Sequence, residues 1–168
     1  TLAIAKAAGA KFIRVCLLTG AMVWDTGEFD HGCASELLRV RKAIYAEDIK
    51  IFADICKKHA VMFPGIDIKT HATWCEFYMA DALIVTGRMT GLPPDVSLLK
   101  EVKEFLPHRP LLVGSGCTIE NVKEFFKYAD GAIVGTYFKV KGITQNPVDV
   151  ERVKKFMAVV KEIRRKSR

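Results

Sequence analysis

Residues 110–136 read PLLVGSGCTIENVKEFFKYADGAIVGT, and this stretch decides the fold that the sequence predicts. Its first apolar run, 110–116, is typical of a buried strand. The segment 119–129 is predicted to be a helix that Thr118 caps, and 131–136 is predicted to be a second short strand. A strand, a helix and another strand in this order predict two parallel strands joined by a crossover helix.

Small residues stand at both places where a strand of this stretch ends. Gly114, Ser115 and Gly116 follow the first strand, and Gly135 and Thr136 follow the second. Glycine allows a tight turn and lets a ligand approach backbone N–H groups, and a helix that starts after the turn adds its own unpaired N–H groups. The two turns together predict a binding site for the phosphate group of a small ligand. For either turn alone, the alternative is that short turns simply favour small residues.

The same alternation of strand and helix runs through the whole chain of 168 residues, which predicts a single domain over residues 1–168. The predicted strands are 11–18, 49–55, 82–87, 110–116 and 131–136. The predicted helices are 34–46, 67–79, 95–106, 119–129 and a last one that Pro147 starts and that buries Val150, Val153, Met157, Val160 and Ile163. Strands that alternate with helices predict an α/β fold with a parallel sheet covered by helices.

Two architectures have this alternation, an open doubly wound sheet and a (β/α)8 barrel of the TIM type. Lys50, Phe52 and Asp54 share one face of the second strand, whereas a sheet under two helix layers favours apolar residues throughout. This pattern favours the barrel. A complete barrel has about 250 residues, so five units that begin inside a helix predict the last five βα units, with the first three absent. The two glycine turns then follow strands seven and eight, where barrels commonly bind phosphate.

The net charge of +7 is concentrated near the end of the chain. Residues 151–168 hold eight Lys or Arg against two Glu, so this segment carries +6 and the rest of the chain +1. Cations near the end of a helix suit its dipole, whereas a nucleic-acid groove needs basic residues spread over a surface and interleaved with exposed aromatics. We therefore predict a solvated helix end and no nucleic-acid binding.

Five cysteines without a C-x-x-C pair predict free thiols in a reducing compartment, rather than a disulfide framework or a metal site. We accordingly expect an intracellular protein, in the cytoplasm or in an organelle matrix (mitochondrion or plastid in a eukaryote). No apolar run approaches the roughly 18–20 residues of a membrane span. The absence of a P-loop lysine and of a nicotinamide fingerprint disfavours nucleotide hydrolysis and hydride transfer, and we predict no cofactor.

Polar residues after the second predicted strand are the main catalytic candidates. Asp54 ends the strand, and Lys58 and His59 follow in the loop at the predicted barrel mouth. A carboxylate, an amine and an imidazole this close in sequence suit acid–base or carbonyl chemistry. The alternatives are an ordinary polar loop and a helix-capping role for Asp54. Arg14 and Lys50 are expected to point inward below the mouth and to pair with an acidic residue from the absent strands.

Other residues are expected to line or cover the same mouth. Thr19, Thr86 and Gly87 end predicted strands, although turn chemistry explains them equally well. The long loop 19–36 is expected to lie over a substrate, as long loops on this face of a barrel often do. Two further histidines are predicted to lie at the surface, His71 and His108.

Two stretches carry a resemblance to a known family, ADALIVTGRMTGLPPDVSLLKEVKEF at 80–105 and LLVGSGCTIENVKEFFKYADGAIVGTYFKVKG at 111–142. Both resemble the C-terminal part of the BtpA family, and the similarity covers essentially the whole chain in the expected order. The resemblance implies a TIM-type barrel and longer relatives that have the first three βα units. It also implies a family in which most members lack an established activity and the cyanobacterial namesake is tied to photosystem I accumulation.

The resemblance extends to the catalytic candidates Asp54, Lys58 and His59. Relatives tend to have His where this chain has Cys56, and this departure argues against a metal or two-histidine mechanism here. No metal ligand is therefore predicted.

Two functions follow from these observations. The first is an enzyme that binds a small phosphorylated metabolite at the barrel mouth, with lyase or isomerase chemistry compatible with the candidate residues. The second, implied by the resemblance alone, is a non-catalytic factor for the assembly or stability of another protein, as in photosystem I biogenesis. Because absent strands would leave open sheet edges, a homo-oligomer or a protein partner is also expected, and a truncated product with neither role is the remaining alternative.

Overall fold

Five parallel strands laid side by side in chain order form the centre of the structure, a computed structural model that describes residues 1–166. These strands are β1 (Phe12–Val15), β4 (Lys50–Cys56), β6 (Ala82–Val85), β7 (Leu111–Val113) and β8 (Gly131–Ala132). The order β1-β4-β6-β7-β8 does not reverse at any point. A doubly wound sheet reverses its order at a switch point, whereas a barrel does not. The predicted α/β fold with five units of a TIM-type barrel is confirmed.

A second, antiparallel sheet stands apart from the first and was missed by the sequence analysis. Its order is β3-β2-β5, with β2 at Ala21–Trp24, β3 at Phe29–His31 and β5 at Ala60–Met62. The predicted long loop 19–36 is therefore largely a hairpin, and β5 follows β4 directly. This sheet begins after the carboxyl ends of β1 and β4, at the end of the barrel where the turns lie.

Helices cover one face of the parallel sheet. They are α1 (Leu2–Ala7), α2 (Ala34–Ala43), α3 (Ile68–Phe77), α4 (Val96–Phe105), α5 (Val122–Phe125) and α6 (Val150–Lys166), with 3-10 turns at Thr136–Phe138 and Val140–Gly142. The carboxylates of Asp67 and Asp95 cap α3 and α4, each accepting from a backbone N–H at 2.8 Å. Such caps satisfy donors that have no partner inside the helix.

The two faces of the sheet differ in burial. On the helix side, Ile51 and Leu83 belong to the main hydrophobic core. On the opposite face, the rings of Phe12 and Phe52 stack with their centroids 4.5 Å apart. Phe12 is 51% exposed and Ile133 is 37% exposed, at the two edges of the sheet. The inner face of the partial barrel thus exposes apolar side chains at its two edges.

The buried stripe of α6 differs from the predicted one. Val160 is buried as predicted, but Val150 is 60% exposed and Met157 lies at the surface, while Phe156 is buried instead. The ring of Phe156 lies 5.2 Å from that of Phe138. This contact with an aromatic side chain outside the helix sets the rotation of α6, and a pattern confined to the helix could not reveal it.

His71 is buried at 1% exposure, contrary to its predicted place at the surface, whereas His108 is exposed as predicted. The Nδ1 atom of His71 lies 3.2 Å from the carbonyl oxygen of Ile55. Within residues 1–166 its Nε2 atom has no hydrogen-bond partner. Burial lowers the pKa of His71 below its usual value, because a charged imidazolium is disfavoured away from water.

We expect the stability of the protein to fall in mild acid through His71. The unfolded chain binds the proton near pH 6.5 and the folded chain only at lower pH. Below pH 6.5 the unfolded state therefore holds more protons, and stability decreases by up to about 1.4 kcal/mol per pH unit. His71→Asn, which keeps a donor for the Ile55 carbonyl, is expected to flatten this slope in denaturant titrations between pH 5 and pH 7.5. An unchanged slope would contradict the assignment.

Candidate functional site

The turns after β7 and β8 are neighbours at the carboxyl end of the sheet. Val113 pairs with Ala132, and the Ile133 N–H donates to the Val113 carbonyl at 2.8 Å. Six backbone N–H groups on these two turns have no hydrogen-bond acceptor within the described residues. They are those of Ser115, Gly116, Cys117, Val134, Gly135 and Thr136. Unpaired backbone donors grouped on adjacent turns form an arrangement suited to an anion.

The first of these turns is covered by the segment between β6 and α4. Gly116 has φ +64°, and a Cβ atom there would lie 2.2 Å from the Pro93 nitrogen. The hydroxyl of Ser115 accepts from the Gly87 N–H at 2.9 Å and donates to the Leu92 carbonyl at 2.8 Å. The Ser115 side chain therefore holds this segment in place, and what the residue offers a ligand is its backbone N–H.

Gly114 makes room for a cation. A Cβ atom at this position would lie 2.6 Å from Ile84 Cγ2, 2.7 Å from Thr86 Cγ2 and 3.2 Å from Arg14 Nη2. No larger residue fits without moving these groups. The guanidinium of Arg14 thus reaches the first turn from inside the barrel.

The second turn is open. A Cβ atom added at Gly135 would meet no atom within 4 Å, whereas one at Gly91 would lie 3.9 Å from Thr136. The Thr136 hydroxyl lies 3.1 Å from that of Thr144. The segment that covers the first turn therefore reaches the second turn through Gly91, without filling the space at Gly135.

The helix expected after the first turn contributes less than predicted. It begins at Val122 rather than near Thr118, and α5 has four residues. The Thr118 N–H donates to Asn121 Oδ1 at 2.8 Å. The side chain of Asn121 therefore caps the backbone of Thr118, whereas the side chain of Thr118 was expected to cap the helix. The predicted helix start near Thr118 is therefore wrong, and the amides of the turn are the donors next to Gly116.

A buried ion cluster lies beneath these turns. Asp54 is fully buried and accepts from Arg14 Nε at 3.0 Å and from Arg14 Nη2 at 3.1 Å. Lys57 Nζ donates to the same carboxylate at 3.0 Å and lies 3.1 Å from Cys16 Sγ. Two cations therefore compensate the one buried charge, as a buried carboxylate requires.

The observed ion pairs of Arg14 and Lys50 differ from the predicted ones. Arg14 pairs with Asp54 of this chain, not with an acidic residue from absent strands. Lys50 pairs with Asp81 at 2.9 Å, near the surface. Because the strand β5 follows, Asp54 does not cap a helix.

Lys58 differs from its neighbour Lys57. It is half-buried, and within the described residues it has neither a hydrogen bond nor an ion pair. Burial lowers the pKa of Lys58, and the charges of Lys57 and Arg14 lower it further.

His59 forms a three-residue arrangement on the rim of the mouth. Its Nδ1 lies 2.8 Å from Asp25 Oδ2, and its Nε2 lies 3.1 Å from Thr90 Oγ1. The backbone N–H of Thr90 also donates to Nε2, at 3.3 Å. Since an N–H can only donate, Nε2 carries no hydrogen and Nδ1–H donates to Asp25. His59 has φ +62°, an uncommon conformation for a side-chain-bearing residue.

The three residues expected to line the mouth are buried instead. The Thr19 hydroxyl lies 3.3 Å from Cys75 Sγ. The Thr86 hydroxyl donates to the Cys56 carbonyl at 3.0 Å. A Cβ atom at Gly87 would lie 2.3 Å from the Leu92 oxygen, so this glycine allows the covering segment to approach. Thr86 and Gly87 face packed neighbours, whereas Thr19, although buried, lines a cavity of about 530 Å³ together with Gly20 and Trp74.

Within residues 1–166, no group of three or more His, Cys, Asp and Glu side chains is arranged to hold a metal ion. No helix in that range combines the length and apolar character that a membrane crossing requires.

Comparison with known proteins identifies relatives over nearly the whole chain. The sequence profile of the BtpA family matches residues 1–162. An uncharacterised protein of Thermococcus kodakarensis is 44% identical over 98% of this chain and 61% of its own length. An uncharacterised mitochondrial protein of Caenorhabditis elegans is 41% identical (98% and 59%), and the photosystem I biogenesis protein BtpA of Synechocystis is 36% identical (96% and 56%). The chain thus spans about three fifths of the length of these relatives.

Solved structures show the same fold at low sequence identity. A native KDPGal structure aligns with a TM-score of 0.64 at 15% identity, over 98% of this chain and 65% of its own. Thiamine phosphate pyrophosphorylase from Pyrococcus furiosus aligns with a TM-score of 0.63 at 17% identity, over 97% and 65%.

The glycines of the two turns are expected to respond differently to substitution. Gly116→Ala should lower the free energy of unfolding by more than about 2 kcal/mol, because the methyl group meets the backbone of Pro93 at positive φ. Gly135→Ala should change it by less than about 1 kcal/mol, because the space around it is open. Denaturant unfolding of both variants measures the difference, and equal losses would contradict the described packing.

Proposed function

The chain belongs to the BtpA family, and we propose that it binds a small phosphorylated metabolite at the mouth formed by the carboxyl ends of its parallel strands. The observation that carries this proposal is the set of unpaired N–H groups on the adjacent turns after β7 and β8. Converging backbone donors bind the oxygens of a phosphate without needing a charged side chain at each position.

Each predicted phosphate-binding residue has a distinct part in this proposal. Ser115 and Gly116 offer backbone N–H groups, and Gly114 admits the Arg14 guanidinium, which adds a positive charge. Gly135 and Thr136 offer N–H groups in open space. Because the first turn is partly covered, the second turn is the place where the ligand enters.

Proton transfer is assigned to His59 in this proposal. Its Nε2 carries no hydrogen and lies 3.1 Å from the Thr90 hydroxyl, through which it can take up a proton, while Asp25 fixes the tautomer through Nδ1. Asp54 and Lys58 complete the catalytic set, with the buried Asp54 carboxylate positioning the surrounding cations. This arrangement supports lyase or isomerase chemistry on a phosphorylated compound.

The similarity to thiamine phosphate pyrophosphorylase agrees with this substrate class, since that enzyme is named for a phosphate compound. At 17% identity it shows the fold alone, so the proposal depends on the turns.

We further propose that the first three βα units of a full-length family member, or another copy of the protein, cover the open inner face around Phe12 and Ile133. An intracellular location is also proposed, with the Caenorhabditis elegans relative named as mitochondrial.

A second candidate is a non-catalytic role in the assembly of another protein. It is favoured by the name of the Synechocystis relative, a photosystem I biogenesis protein. In that role, the exposed apolar inner face would contact the partner and the turns would not be needed.

We expect inorganic phosphate to protect the intact protein against thermal unfolding, by about 2.7 kcal/mol at one hundred times its dissociation constant. Gly135→Asp should abolish the protection, because its carboxylate repels the anion in a space where the side chain causes no clash. Gly135→Asn is the matched neutral control and should keep most of it. Thermal scans with phosphate and with chloride at equal ionic strength measure the effect, and no protection of the folded protein would overturn the proposal.

The two candidate functions predict different results for the same substitution in the Synechocystis relative. If the turns bind a required metabolite, the change equivalent to Gly135→Asp should lower photosystem I accumulation, and the Asn change should not. If the protein acts by contact alone, both variants should sustain normal accumulation. Photosystem I content of the two strains, measured at equal levels of the variant protein, decides between them.

A further inference from the structure

A cavity of about 530 Å³ lies between α3 and the segment that leads from the end of β1 to the start of α2. This volume is within the range of about 300–1,000 Å³ in which proteins bind small molecules. Among the described residues, those that line the cavity include none from the two glycine turns. The cavity is therefore a candidate site in addition to the proposed phosphate site.

One wall of this cavity is aromatic and comes from the end of α3. Trp74, Phe77 and Tyr78 follow one another at spacings of three and four residues from Trp74, so their side chains share one face of the helix. All three side chains are accessible, with Phe77 exposed by 77%, and the rings of Phe77 and Tyr78 lie 5.3 Å apart. Adjacent accessible rings offer faces on which another planar ring can stack.

The opposite wall is built from small residues that backbone hydrogen bonds hold in place. The Gly32 N–H donates to the Gly20 carbonyl at 2.8 Å, and the Ala34 N–H donates to the Leu18 carbonyl at 2.9 Å. These bonds join the end of β3 and the start of α2 to the chain that follows β1. A Cβ atom added at Gly20 would lie 3.7 Å from the Trp74 ring, so the absence of a side chain there keeps space open in front of the indole.

Three polar side chains line the same cavity and have unused hydrogen-bonding capacity. Within residues 1–166, neither the imidazole of His31 nor the hydroxyl of Ser35 has a hydrogen-bond partner. Thr19 is 6% exposed, and its hydroxyl contacts Cys75 Sγ at 3.3 Å. Because a hydroxyl can donate one hydrogen and accept two, this contact leaves further capacity at a buried polar group.

The charge of the lining restricts the ligand that the cavity can take. None of the described lining residues is Asp, Glu, Lys or Arg. A charged ligand that left water would therefore lack a compensating side chain here, whereas a neutral ligand would not need one. The aromatic wall selects a planar ring, and groups that both donate and accept select a ring with both functions along its edge.

We propose that this cavity binds a neutral, planar nitrogen heterocycle whose edge carries hydrogen-bond donors and acceptors, as a purine base does. The face of the ring stacks on Trp74, and its edge bonds to Thr19, His31 and Ser35. This inference goes beyond the proposed phosphate-binding function and does not rest on it, because the two turns do not line the cavity.

The experiment measures purine binding to the intact protein by equilibrium dialysis. The probes are adenine and hypoxanthine, which present different orders of donors and acceptors. The comparison compound is 6-dimethylamino-9-methylpurine, which keeps the ring but has no N–H donor. Fluorescence locates the site, because Trp24→Phe leaves Trp74 as the only tryptophan of the chain.

We expect at least one of the two probes to quench Trp74 and to bind about fivefold more tightly than the compound without donors, the factor that corresponds to one net hydrogen bond. Trp74→Leu should weaken binding by about tenfold or more, and Trp74→Phe, which keeps an aromatic face, should weaken it less. Ser35→Leu should abolish binding by filling the cavity, whereas the matched Ser35→Ala should weaken it about fivefold. Thr73→Leu, at an exposed position of α3 outside the cavity, should have no effect.

Three results would overturn the assignment. The first is a folded protein that binds neither adenine nor hypoxanthine. The second is binding that Trp74→Leu and Ser35→Leu leave unchanged, which would place the purine elsewhere. The third is equal affinity for the compound without donors, which would remove the role of the polar edge. Circular dichroism checks that each variant is folded, and if Ser35→Leu does not fold, the comparison of Trp74→Leu with Trp74→Phe decides.

Discussion

The ion pair between Arg14 and Asp54 is the interaction on which the mouth of this protein depends. A fully buried carboxylate is tolerated only when cations and hydrogen bonds compensate it, and removing a partner from such a pair costs about 3–5 kcal/mol. The pair joins β1 to β4 across the inner face of the sheet. The guanidinium also approaches Gly114, where an added Cβ atom would lie 3.2 Å from Arg14 Nη2 and closer still to Ile84 and Thr86. The ion pair thus connects two strands and lies next to the first glycine turn. Among the described residues, the buried charge that it compensates at the centre of the mouth is that of Asp54.

A second constraint acts from the other side of the same turn. The segment between β6 and α4 is held by the Ser115 hydroxyl and approaches so closely that Gly87 and Gly116 cannot bear side chains. These glycines are therefore explained by packing, which was the alternative reading for a single turn, while Gly135 has no packing reason to be glycine. The contrast between Gly116 and Gly135 locates the ligand-accessible part of the proposed site at the second turn.

The sequence predicted what local periodicity determines and missed what distant contacts determine. The strands, their parallel arrangement and most helices follow from alternating patterns within about ten residues. The burial of His71 and of Phe156 depends on partners outside their own helices, the Ile55 carbonyl and the Phe138 ring. The pairing of His59 with Asp25 spans 34 residues and that of Arg14 with Asp54 spans 40. The sequence predicts that Arg14 points inward below the mouth, but no spacing rule assigns a partner to Arg14 or to Asp25.

The electrostatics of the mouth connect the anion site to the proposed chemistry. Arg14 and Lys57 carry two positive charges against the one negative charge of Asp54, so the cluster has an excess positive charge that favours an anion. Burial, and then the charges of Lys57 and Arg14, lower the pKa of the neighbouring Lys58. Replacing Asp54 by a neutral residue would increase the repulsion within the cluster, so the buried carboxylate holds the cations together. The buried ion pair and the proposed anion site consequently belong to one charge distribution rather than to separate sets of residues.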